Sequence, residues 1–172
     1  MRALIIVSLA FAAAGCSEEA KKEKAEEAAA EMGPGQWEVA SEIASITPTD
    51  KGEPKFTGKA GDKAIVSVCV GAGAKGKPPV RLFTGDDDAC QYQNSYIRKG
   101  RINASLSCTR TGFDGTIMRG IEGKFKANSF DATVTTTTML VSDGDVKIAA
   151  KLEGKRTGEC VPEPAAEAGK QG

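Results

Sequence analysis

The sequence has no histidine, few aromatic residues and no net charge, with 23 basic residues against 23 acidic ones in 172. Each shortage closes a class of function. Without histidine there is no Ser-His-Asp or Cys-His nucleophile system and no imidazole to bind a metal. Balanced charge leaves no basic stripe with which to track a nucleic acid. Aromatics make up 5% of the chain, so a core has to be built mostly from Val, Ile, Leu and Ala. No apolar run reaches the roughly 20 residues that a membrane-spanning helix needs. The length fits one domain.

What is present begins with an address. Met1-Arg2 supplies a positive charge, and Ala3 to Ala14 is a run of apolar and small residues ending in Ala13-Ala14-Gly15-Cys16. That is the pattern of a secretory signal over residues 1–15. Its end resembles a bacterial lipobox, which implies that Cys16 becomes the lipidated first residue of the mature chain. Cys16 is the only cysteine among the first 68 residues, and an unpaired exposed thiol is a liability in an oxidising compartment. Ser17, rather than Asp, follows it, which by resemblance to the lipoprotein sorting rule points to the outer membrane. Residues 16–32 are rich in Ala, Glu and Lys and lack an apolar heptad, so they read as a partly helical tether. Residues 161–172 read as a disordered tail.

Between these flanks, residues 33–160 form the expected domain. Its periodicity is mostly two: Trp37, Val39 and Ile43 alternate with Glu38 and Glu42, and Ala64 to Val70 is nearly all apolar, the mark of a central strand. Turn signals recur at Arg98-Lys99-Gly100, Thr111 to Gly115, Lys126 to Ser129 and Ser142-Asp143-Gly144. Short strands at this spacing predict an all-β fold: an antiparallel meander, sandwich or up-and-down barrel.

Register follows from the turns. A three-residue loop at Arg98-Lys99-Gly100 sets Tyr96 against Ile102, Tyr92 against Leu106 and Cys90 against Cys108, all on one face. At such sites the Cα atoms are about 4.5 Å apart, within reach of a disulfide. A four-residue loop at Lys126 to Ser129 pairs Phe125 with Phe130 and Ile121 with Val134. A three-residue loop at Asp143-Gly144-Asp145 pairs Leu140 with Ile148 and Thr136 with Leu152. A Cys90–Cys108 bridge is therefore favoured. Cys69 and Cys160 pair by elimination, although sequence alone leaves the other two connectivities open.

Several local motifs have a chemical appearance that their context removes. Gly71-Ala72-Gly73-Ala74-Lys75-Gly76 matches a phosphate-binding glycine loop, but Pro78-Pro79 stands where the required helix would begin, so no nucleotide is expected. Asp86-Asp87-Asp88 lacks calcium-site spacing and reads as a solvated turn. The four domain cysteines contain no Cys-x-x-Cys and suit disulfides rather than zinc, so neither metal nor cofactor is expected. Asn103-Ala104-Ser105 matches a glycosylation sequon in mid-strand. No acid, base and nucleophile converge, so the chain does not read as an enzyme.

Pro34-Gly35-Gln36-Trp37-Glu38-Val39, then Cys69-Val70, Cys90, Cys108 and a closing Gly158-Glu159-Cys160 form an order that resembles the bacterial family called domain of unknown function 3617. The resemblance implies a small exported β-rich domain with paired cysteines and carries no activity. The expected function is that of an outer-membrane-anchored periplasmic binding module for an apolar small molecule or lipid, with Trp37, Tyr92, Tyr96, Phe125 and Phe130 lining or plugging its interior. The alternative is an envelope docking module whose partner is another protein and which has no pocket.

Overall fold

The computed structural model describes residues 31–74, 76–85 and 88–160. Cys16, the signal segment and the 161–172 tail lie outside the described residues, as does the tether apart from its last two positions. Of those, Met32 packs against the core rather than standing free of it.

Seven strands form one antiparallel sheet: β1 (Gly35–Pro48), β2 (Lys63–Val70), β3 (Ala89–Arg98), β4 (Arg101–Thr109), β5 (Gly115–Lys126), β6 (Ser129–Leu140) and β7 (Val146–Gly158). A single-turn helix, α1 (Arg81–Thr84), lies between β2 and β3. The spatial order is β2-β1-β7-β6-β5-β4-β3. The last five strands are thus a meander, and β7 folds back beside β1. The sheet is open, with β2 and β3 as its two edges, so the architecture is a curled meander rather than a sandwich or closed barrel. Ala64 to Val70, expected to be central, belongs to an edge strand, and its outward residue Ile65 is 68% exposed. The run is apolar because Val66, Val68 and Val70 turn inward while the edge strand's outer face is left uncovered.

One face of every strand is buried. Val68 and Val70 of one edge, Ile97 of the other, and Trp37, Leu106, Ile121, Phe130 and Val134 between them belong to a single cluster. Seven strands can share one core only if the sheet curls around it. The connection from β2 to β3 crosses the concave side and inserts Pro78, Leu82 and Phe83 into it. Tyr92 Oη donates to the Pro78 carbonyl at 2.9 Å, and Ser95 Oγ donates to the Gly76 carbonyl at 2.6 Å, fastening this segment across β3. The helix does not follow the glycines directly: α1 starts at Arg81, beyond the Pro78-Pro79 pair.

The opening Pro-Gly-x-Trp segment has a structural task. The Trp37 indole N–H donates to the Gly33 carbonyl at 3.0 Å, and Arg156 Nε donates to the Pro34 carbonyl at 2.6 Å. Gly35, at φ 134°, takes a conformation that side chains avoid, and a Cβ there would collide with Gly158 and the Arg156 guanidinium.

Both disulfides are present: Cys90–Cys108 with Cα atoms 4.0 Å apart and Cys69–Cys160 at 5.3 Å. The second ties edge strand β2 to the chain just past β7. The register around the first is more particular than expected. Cys90 faces Cys108 and Tyr92 faces Leu106, but beyond a bulge between Tyr92 and Asn94 the partners become Tyr96 with Asn103 and Ile97 with Ile102. The cause is the turn. Lys99 and Gly100 both have positive φ, 52° and 70°, making a two-residue loop closed by Arg98 and Arg101. The extra residue of the bulge restores the cysteine pairing and reverses the exposed face, so Ile97 is buried and Tyr96 is 38% exposed.

Phe125 faces Phe130 and Ile121 faces Val134, across a tighter turn that Lys126 and Ser129 close. At the next junction Thr136 faces Ile148 and Ala132 faces Leu152, four residues away from the expected register. An even shift preserves the buried face, so alternation could not detect it. The loop is held instead by side-chain hydrogen bonds, near and far in sequence. Asp145 Oδ1 accepts from Thr138 Oγ1 at 2.7 Å and from the Leu140 amide at 3.0 Å, while Asp50 accepts from the Gly144 and Asp145 amides at 2.9 Å each.

Candidate ligand cavity

The concave face has two unlike halves. In one, Trp37 packs on Phe130 with ring centroids 5.9 Å apart, and Phe83 of α1 meets Phe130 edge-on at 5.6 Å. Gly154 makes room for this ring, since a Cβ there would overlap Phe130. Trp37, Phe125 and Phe130 are all buried here. Tyr92 is half-buried at the margin, where burial pushes its phenol above the ordinary tyrosine value. These expected lining residues are core. Tyr96 faces outward beside a smaller depression of about 440 Å³, with the Arg98 guanidinium 4.3 Å above its ring. None of the five lines the larger cavity.

That cavity occupies the other half and measures about 730 Å³, within the usual range for small-molecule sites, roughly 300–1,000 Å³. Its walls come from β1 (Val39, Ile43), β2 (Val66) and β7 (Ile148, Leu152), with α1 (Phe83) at the inner end. The segment between β1 and β2 closes the outer side through Phe56. This strap is pinned at both ends: the Thr49 amide donates to the Asp145 carbonyl at 2.9 Å, and the Gly61 amide donates to the Ile43 carbonyl at 2.8 Å. Asp50, accepting amide hydrogen bonds chiefly from Asp145 and Gly144, has its carboxyl held below the ordinary value.

The charge at the apolar cavity is cationic. Lys55, Arg110 and Arg119 line it, and no carboxylate does among the described residues. Behind the arginines Asp88 accepts from Arg110 Nε and Arg119 Nη2, its side chain inaccessible to solvent. Asp88 therefore does not belong to a solvated turn. A buried carboxylate needs partners, and two guanidiniums supply them. The Arg110 guanidinium also meets two rings, 5.3 Å from the Phe56 centroid and 5.5 Å from that of Phe113. Sequence reasoning missed this cluster because its members lie on different segments, and only the meander brings them together.

Asp88 is close to the Cys90 and Cys108 sulfur atoms, but those sulfurs form a disulfide. A disulfide offers no thiolate, so this grouping has no metal-ligand chemistry. The chance match to a glycosylation sequon, Asn103-Ala104-Ser105, lies within β4.

A family described as a protein of unknown function (DUF3617) matches residues 32–160. No curated protein and no solved structure matches the chain.

Proposed function

Because the chain belongs to the DUF3617 family, whose function is unknown, we propose a role from the site itself: binding an apolar small molecule or the chain of a lipid in the cavity between β1, β2, β7 and α1. The observation that carries this reading is the unfilled half of the concave face, about 730 Å³ bordered by Ile43, Phe56, Val66, Ile148 and Leu152. A sheet that packs its own aromatics tightly at one end and leaves an apolar space at the other has a place for a guest. The proposed role is binding rather than catalysis, because the guanidiniums at the cavity hold charge and donate hydrogen bonds without passing protons. We place the protein in the periplasm, anchored through lipidated Cys16 to the outer membrane. The two disulfides support an oxidising compartment.

The alternative, a docking module without a ligand, would use outward apolar surface. Ile65, Met139 and Val141 are exposed, but Ile65 lies on β2 and the other two at the end of β6, with β1 and β7 between those strands. Single exposed apolar residues are ordinary, so the cavity is the better-supported site.

The test is a fluorescence titration of the full chain carrying Cys16→Ala with the neutral apolar probe N-phenyl-1-naphthylamine. Saturable enhancement, abolished by Ile148→Trp or by the strap substitution Thr57→Trp, is the expected result. A flat titration overturns the reading. Membrane fractionation of the Cys16→Ala chain tests the anchor: release is expected, and retention contradicts it.

A further inference from the structure

We infer that the occupant of the cavity is an amphiphile with an anionic head, a carboxylate or a phosphate, received by Arg110 and Arg119. The inference rests on the apolar-ligand reading above and adds the head group to it. Three observations carry it.

The first is charge. Lys55, Arg110 and Arg119 line the cavity, and among the described residues Asp88 is the one carboxylate that pairs with the arginines. Cations in excess beside an apolar wall are unfavourable unless something else neutralises them.

The second is burial. The side chains of Arg110 and Arg119 are only 18% and 12% exposed. Water therefore does little to satisfy them, and Arg119 Nε is buried with no hydrogen-bond partner at all. An orphaned donor of this kind is costly in a native structure unless a ligand supplies the acceptor.

The third is preorganisation. Asp88 fixes one nitrogen of each guanidinium, and the Phe56 and Phe113 rings both contact that of Arg110. A guanidinium presents five N–H groups in a fixed fork, so anchoring one edge directs the remainder. Arg suits carboxylate and phosphate geometry better than Lys, which acts only as a point charge. From the arginines the apolar wall continues through Val66, Ile148 and Leu152, giving the alkyl chain a place to lie.

The experiment is calorimetric titration of the full chain carrying Cys16→Ala, with dodecanoate, dodecan-1-ol, dodecyltrimethylammonium and inorganic phosphate, each amphiphile below its micelle concentration. Dodecanoate is expected to bind about tenfold or more tightly than the alcohol, as a charge-assisted hydrogen bond implies, and the cationic amphiphile most weakly. Arg110→Gln should remove that preference, with the variant's folding checked separately by its thermal melt. The ranking in the unsubstituted cavity stands as a test even if that variant misfolds. Equal affinity for acid and alcohol overturns the anionic head and leaves the apolar reading intact. No binding by any amphiphile overturns both. Phosphate binding as tightly as dodecanoate overturns the amphiphile in favour of a free anion.

Discussion

The two halves of the concave face belong to one sheet and end differently. At the Trp37 end Trp37 and Phe130 pack ring against ring, with Leu82 and Phe83 of the crossing segment buried beside them. At the Ile148 end a cavity remains, lined by aliphatic residues together with Phe56, Phe83 and Phe113, and cations stand where further core would be expected. One half therefore holds the fold together, while the other keeps room for a ligand. The single tryptophan lies in the packed half with Phe125 and Phe130, all three buried, which is why these expected lining residues turn out to be core.

The comparison can be broken most severely at Trp37. Trp37→Ala deletes the largest fully buried side chain and should cost about 3–5 kcal/mol, read as a shift in urea midpoint. A loss below 1 kcal/mol would mean that this half is not the structural one. Next in size is the bridge that ties edge strand β2 to the end of β7. Cys69→Ser with Cys160→Ser opens a link spanning 91 residues and should cost about 2–4 kcal/mol, with little effect on probe affinity if the cavity half keeps its shape.

In the open half, Ile148→Ala should cost about 2 kcal/mol, the low end for such a truncation, because the residue already borders a void. It should also weaken apolar-probe binding. A loss as large as that of Trp37→Ala would erase the distinction between the halves.

The smallest expected effect is at the strap. The Asp50 carboxyl is held below its ordinary value of 3.8 by the Asp145 and Gly144 amides. Its contribution to stability is complete above that value and is lost as pH falls through the lower folded-state value. Asp50→Asn should thus be less stable than the parent near neutrality, and the gap should close in strong acid, as followed by thermal melts across pH. A gap independent of pH would dissociate Asp50 from the strap.

Much of the scaffold was legible in the sequence because alternation and turn residues act locally. Phe125 facing Phe130 and Cys90 facing Cys108 both follow from short hairpins. Legibility failed where a non-local or two-residue decision intervened. Lys99 adopts positive φ despite its Cβ, which moved the turn by one residue and turned Tyr96 outward. Asp50, far away in sequence, sets the loop before β7. The polar part of the cavity was least legible. Asp88 gave the appearance of one acid in a solvated run, and nothing local to Arg110 or Arg119 announces that both converge on it.

The most direct test of the division between the halves is methyl-resolved NMR of the isoleucine-labelled full chain carrying Cys16→Ala, titrated with dodecanoate. The account predicts saturable shifts at Ile43 and Ile148, which line the cavity, and unmoved signals at Ile97 and Ile102, which do not. Shifts centred on Ile97 and Ile102, or no shifts at all, would contradict it.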